Sequence, residues 1–275
     1  MPEQTFFLLL KKRLRRINRR TMALAEQCRK NALHDLRVDL KILRAQLRLL
    51  RAVDPAFPYS DLYAPYKALF ARAGQVRFWQ LQAGILADTP GVPEPFARLY
   101  RAHAHRRLRE ALEAFRQTAL AGRLFLWPEL KKEFRQSAWQ CTTLSVGTYF
   151  ETLRKGMAAI TAHLSRRNPQ AMHDLRKWLK EYAINRRLAN RHFGFDPGPP
   201  LVPRAENAGL DELLGQWHDL DAACMQLQED LQTQQWEPAD RNAGETMLQD
   251  WREAERMLWE EVLAGLETGG LPSTQ

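Results

Sequence analysis

Residues 31–51 read NALHDLRVDLKILRAQLRLLR. At about 100° per residue, Leu33, Leu36, Leu40, Leu43, Leu47 and Leu50 share one helical face. His34, Arg37, Lys41, Arg44 and Arg48 fall in the adjoining sector, roughly 80° wide. The segment is therefore predicted as one amphipathic helix, N-capped by Asn31 and ended before the break at Val53-Asp54-Pro55. Leucines at this spacing anchor the helix in a core and hold the cationic stripe where its charges cannot spread apart. Like charges at i,i+3 and i,i+4 cost a few tenths of a kcal/mol per pair, so something anionic is expected to face the stripe. Arginine suits phosphate, because its planar fork donates two parallel hydrogen bonds and stays charged. His34 adds a donor at the helix start, where the macrodipole and free N–H groups already favour an anion.

Working outward, Pro and Gly punctuate the chain and the periodicity between the marks is helical. Residues 53–60, 88–95, 193–204 and 236–238 read as connectors. No segment alternates convincingly as a strand, and the stretches between breaks are long for ordinary globular helices, as in bundles. The expected fold is all-α.

The chain also repeats itself. His34-Asp-Leu-Arg37 recurs as His173-Asp-Leu-Arg176, and both run on through a Leu to a Lys, Lys41 and Lys180. At the same offset Arg15-Arg16 matches Arg154-Lys155 and Arg48 matches Arg187, while Gly74-Gln75 matches Gly215-Gln216 after a short gap. Ordered matches of this kind indicate an internal duplication, with halves at about 1–125 and 126–275, each a four-helix unit. The second half is expected to open on a helix extended backwards through Glu129–Gln140. Its own motif helix starts at Asn168-Pro169, an N-cap followed by Pro at the first helical position. There His173, Arg176, Lys180 and Arg187 share a face with Lys177 at its edge, and Ala183 stands where Arg44 does, so this stripe is weaker.

Charge is segregated as well as abundant. The net charge is +9, yet residues 11–51 hold fourteen Lys or Arg against three acids, and residues 206–275 three Arg against sixteen acids. One region attracts polyanions and another repels them. The plainer reading is a basic helix docked on the acidic tail. Three scattered cysteines, Cys28, Cys141 and Cys224, without a C-x-x-C pair, argue against disulfides and a zinc site. No apolar run approaches the ~18 residues of a membrane span. Near the start, charge follows the apolar Phe6–Leu10, the reverse of a secretory signal, so a cytoplasmic protein is expected.

These residues resemble the CHAD domain, the conserved-histidine alpha-helical domain family. The family pattern H-x-x-R-x-x-x-K-x-x-R is complete at His34, Arg37, Lys41 and Arg44, and survives as His173, Arg176 and Lys180 with Ala183 in the last place. Leu213-Leu-Gly-Gln-Trp-His-Asp-Leu-Asp221 resembles the family's L-G-x-x-[HR]-D-x-D element; its counterpart at Gly74 keeps the Gly but has lost the acids. The resemblance implies two four-helix bundles related by pseudo-twofold symmetry, with a basic groove where they meet. It further implies inorganic polyphosphate as ligand and association with polyphosphate granules in bacteria. Relatives are often fused to a triphosphatase barrel carrying E-x-E-x-K, and that motif does not occur here.

Further basic candidates for such a groove are Lys12, Arg15, Arg16 and Arg19 on the first helix, Arg154 and Lys155 in their repeat, and Lys131, Lys132 and Arg135 at the start of the middle helix. His103 and His105, two apart, do not share a helical face, so a metal site there is not expected. His218, Asp219 and Asp221 are expected to brace helices. There is no Walker loop, G-x-S-x-G or H-E-x-x-H, and no acid pair beside the stripe for a phosphoryl-transfer metal. The expectation is a non-catalytic binding protein without cofactor or metal. The alternatives are a nucleic-acid binder using the same basic face, which would gain from stacking aromatics that the stripe lacks, and an adaptor for an acidic partner.

Overall fold

The computed structural model describes residues 2–85, 92–121, 128, 131–133, 143–164, 167–198 and 204–268. Among them there is no strand. The long helices, in chain order, are α1 (Pro2–Glu26), α2 (Lys30–Val53), α3 (Tyr59–Ile85), α4 (Glu94–Ala121), α5 (Thr143–Leu164), α6 (Pro169–Leu188), α7 (Arg204–Thr233) and α8 (Pro238–Thr268). A π turn at Ala189–Phe193 continues α6 and ends on Gly194, whose φ of 61° is the left-handed conformation that glycine adopts without strain. The all-α expectation holds.

Helix boundaries follow local chemistry with one correction. Asn168 caps α6 as expected, its Oδ1 accepting from the Gln170 N–H at 3.0 Å. Asn31 does not cap α2: the helix starts a residue earlier, at Lys30, and Arg29 holds the cap position without a side-chain bond. The first intrahelical bond runs from the Leu33 N–H to the Arg29 carbonyl at 3.0 Å. Of the expected backward extension through 129–140, residues 131–133 are helical and the rest lies outside the described residues, as does Cys141.

Two compact units divide the chain, and each takes segments from both sequence halves. The first comprises residues 1–80, 108–155 and 180–198, the second 81–107, 156–179 and 199–275. In the first, α1 packs on α2 and on the π turn. All six leucines of the α2 face are buried, as are Phe6, Leu10, Leu14 and Ile17 of α1. Phe6 and Phe193 meet with ring centroids 5.4 Å apart.

In the second unit α7 and α8 form a helical hairpin. Its core joins Phe96 and Tyr100 of α4 to Ala223, Cys224, Leu227 and Leu231 of α7 and Met247 and Trp251 of α8. A Cβ on Gly156 would lie 2.2 Å from the Trp178 ring, so α5 accommodates that indole at a residue without a side chain.

Candidate functional site

On α2 the leucine face has two flanks, and they do different work. One flank carries Asp39, roughly 140° from His34 around the helix. Its carboxylate is buried and accepts from three arginines of α1: Arg13 Nη1 at 2.9 Å, Arg16 through both Nε (2.7 Å) and Nη2, and Arg20 Nη1. Arg20 also reaches Asp35 at 3.0 Å. Arg13, Arg16 and Arg20 are spaced three and four apart, so they present one row to one acceptor. Burial pushes the Arg13 guanidinium down to about 10, with Asp39 acting against that drop. Arg16 is raised by its bonds to Asp39. This cluster is the joint between α1 and α2.

The other flank is the stripe. His34 is exposed near the start of α2, and Arg37, Lys41 and Arg44 are half-buried along it. The guanidinium carbon of Arg37 lies 4.8 Å from the centroid of the Phe70 ring, and that of Arg44 lies 5.6 Å from the same ring. Phe70 belongs to α3, as does Gly74 one turn on. A Cβ at Gly74 would sit 2.7 Å from Arg37 Nη1. One aromatic ring thus meets both arginines, and the missing side chain at Gly74 makes room for Arg37. Among the described residues no carboxylate pairs with Arg44.

The last member of the stripe behaves differently. Arg48 Nη1 donates to Glu181 at 2.6 Å. Glu181 is buried and also accepts from the Tyr149 hydroxyl at 3.1 Å. Asn185 Nδ2 donates to that hydroxyl at 2.5 Å and to the Ala45 carbonyl at 3.0 Å. Burial works against the Arg48 charge, but Glu181 and Tyr59 together more than offset it and the guanidinium is raised. Arg48 is part of a buried polar network that ties α2 to α5 and α6.

The second motif sits in the second unit. His173 is half-buried against Trp217, with ring centroids 4.8 Å apart. Its Nε2 lies 3.1 Å from Asp221 and its Nδ1 2.9 Å from His218 Nδ1. With both rings neutral, the carboxylate fixes the proton on His173 Nε2. Nδ1 of His173 then accepts from His218 Nδ1–H. Asp221 and His218 therefore brace α6 to α7, the role expected of their element. Arg176 is pushed down by burial, with Asp219 and Asp211 opposing. Its Nη2 would stand 4.0 Å from a Cβ on Gly215, so the repeated glycine lies beside the motif arginine in both copies. Lys177 pairs with Asp174 at 2.8 Å.

The remaining candidates are dispersed. Lys12, Arg15 and Arg19 are exposed on α1, and Lys131, Lys132, Lys155 and Arg187 are exposed as well. Lys180 is half-buried and belongs, with Arg187, to the first unit. Arg154 donates to Glu151 at 2.6 Å and to the Pro197 carbonyl, closing the chain after the π turn. Arg135 lies outside the described residues. His103 is buried 3.3 Å from Asp230, with Arg106 donating to its Nδ1 at 3.0 Å. Among the described residues no group of three or more His, Cys, Asp or Glu is arranged to hold a metal, and no helix is long and apolar enough to cross a membrane. Sequence reasoning missed Asp39, Glu181 and Phe70. Only the arginine row of α1 hinted at the first, and nothing in the sequence marked the other two.

Comparison with known proteins agrees with this fold. The CHAD domain family model matches residues 8–228. The crystal structure of the CHAD domain from the plant Ricinus communis superposes with a TM-score of 0.72, over 99% of this chain and 94% of that one, at 22% identity. That likeness shows a shared fold. No curated protein matches the chain. With the family model spanning both histidine motifs and most of the chain, this protein belongs to the CHAD domain family.

Proposed function

We propose that the chain binds inorganic polyphosphate on the cationic face of α2 and catalyses no reaction on it. The observation that carries this reading is the seating of Arg37 and Arg44 over one ring, Phe70. A guanidinium seated on a ring is oriented before it meets a ligand, and an oriented fork loses less entropy on meeting a phosphate. His34, Lys41 and, in the same unit, Lys180 and Arg187 extend the positive field. Membership of a family known for polyphosphate-related roles supports the same ligand. A repeating anion gains further from several weak contacts on one chain. Binding of this kind would bring the protein to polyphosphate granules wherever a cell forms them.

Nucleic acid is the competing polyanion. Phe70 has two guanidiniums over it, and the Tyr59 ring beside Arg48 is stacked on the buried Tyr63, so neither offers a ready platform for base stacking. The test is competition among long-chain polyphosphate, single-stranded DNA and heparin for the purified protein, with orthophosphate release followed in Mg²⁺ or Mn²⁺. Polyphosphate should displace the other two and remain uncut. Preference for DNA, or shortening of the chain that disappears in a His34→Ala variant, would overturn the reading.

A further inference from the structure

We infer that the second unit carries a separate anion site, shaped for a single phosphate group, between the α5–α6 turn and α8. A pocket of about 260 Å³ is lined by Arg167, Pro169, Arg252, Glu255, Arg256 and Trp259. Three arginines and one carboxylate line it, and that carboxylate already accepts from Trp217 Nε1.

The cations are placed against the local trend. Residues 206–275 contain only three arginines and no lysine, against sixteen acids. Two of the three, Arg252 and Arg256, stand one turn apart on α8 and line this pocket. Arg252 is oriented by Gln228, to which its Nη2 donates at 2.9 Å. Arg256 lies 3.7 Å from both Glu253 and Glu260, too far for the short bonds of a committed ion pair.

An independent observation concerns the third cation. Arg167 has a φ of 52° and is the one non-glycine with positive φ among the described residues. A turn between helices that needs this conformation ordinarily uses Gly or Asn. Strain of this sort persists where the surroundings over-determine it, and it clusters at functional sites. Arg167 stands one residue before Asn168, the N-cap of α6.

Size narrows the ligand. The pocket is smaller than the roughly 300–1,000 Å³ of sites that enclose drug-sized molecules. It suits one phosphate group, either free or at the end of a larger molecule, and none of its residues belongs to the α2 stripe.

The test uses thermal melts of the full chain at constant ionic strength, with orthophosphate and methyl phosphate as separate probes. Orthophosphate should raise the melting temperature saturably. Its apparent affinity should weaken at least about tenfold in Arg252→Gln with Arg256→Gln, and likewise in Arg167→Gly. Without phosphate, Arg167→Gly should melt no lower than the parent, because glycine relieves the positive φ. Arg37→Ala with Arg44→Ala should keep the full response. An equal response to methyl phosphate assigns the site to a terminal phosphate, and a response to orthophosphate alone assigns it to the free anion. No saturable rise, a rise that survives the Arg252/Arg256 variant, or one abolished only by the Arg37/Arg44 variant would each refute the site.

Discussion

Arg37 lies so close to Gly74 that a Cβ at the glycine would come within 2.7 Å of its Nη1. The same pairing recurs more loosely between Arg176 and Gly215, at 4.0 Å. A glycine inside a helix normally costs about 0.5–1 kcal/mol relative to alanine. Here it makes room for a guanidinium to lie along α3 and reach Phe70.

The first prediction tests that role. Gly74→Ala should change stability by no more than about 1 kcal/mol, since the helix gains what the displaced, flexible Arg37 loses. Polyphosphate affinity should nonetheless fall several-fold, because the guanidinium is pushed off its seat. Thermal melts beside titrations decide it; unchanged affinity would mean that the seat is irrelevant to binding.

Asp39 is the counterpart on the structural flank. Asp39→Asn leaves Arg13, whose side chain is only 10% exposed, without its buried counter-charge. The expected loss is about 3–5 kcal/mol, read by urea denaturation. A loss below 1 kcal/mol would show that the arginine row of α1 does not depend on this carboxylate.

Arg44 and Arg48 occupy successive turns of one stripe and should separate cleanly. Arg48→Ala strands the buried Glu181 and should cost roughly 1–3 kcal/mol, less than a fully buried pair because Arg48 itself is 45% exposed. Its affinity for polyphosphate should stay within about twofold. Arg44→Ala should cost under about 1 kcal/mol of stability and weaken binding roughly tenfold. Calorimetry on the two variants would expose the reverse pattern at once.

Arg37→Ala with Lys41→Ala removes two cations beside buried leucines and should lower affinity at least tenfold, at ~1.5–3 kcal/mol per charge-assisted contact. The fold should hold, with like-charge repulsion relieved. Leu40→Ala gives the opposite result, because Leu40 is fully buried: a loss of about 2–5 kcal/mol with near-normal affinity while folded. An early-melting double variant that binds normally would make the stripe structural.

Salt reports on the ligand class. Affinity for long polyphosphate should fall log-linearly with salt, as for a nucleic-acid protein that releases counterions, and pyrophosphate should bind the stripe far more weakly than a long chain. Titrations with graded chain lengths check both; equal affinity for pyrophosphate would exclude an extended contact.

Much of this protein was determined by sequence alone. Helical periodicity with Pro and Gly breaks specified an all-α chain, because a 3.6-residue repeat of leucines has no other way to be buried. The spacing of His34, Arg37, Lys41 and Arg44 marked one cationic face, since residues three and four apart must be neighbours on a helix. What spacing could not show was which cations other parts of the protein already hold. Arg48 continues the stripe in register, yet Glu181, 133 residues away, claims it. Arg16 repeats in Lys155, yet Asp39 holds it. His34 and His173 are equivalent in sequence, but only His173 has Asp221 and His218 against it. Phe70 gained its place under two arginines because α3 lies beside α2. Each of these outcomes depends on which helix packs against which, and a carboxylate or a ring on another helix leaves no trace in the local pattern of the one it meets.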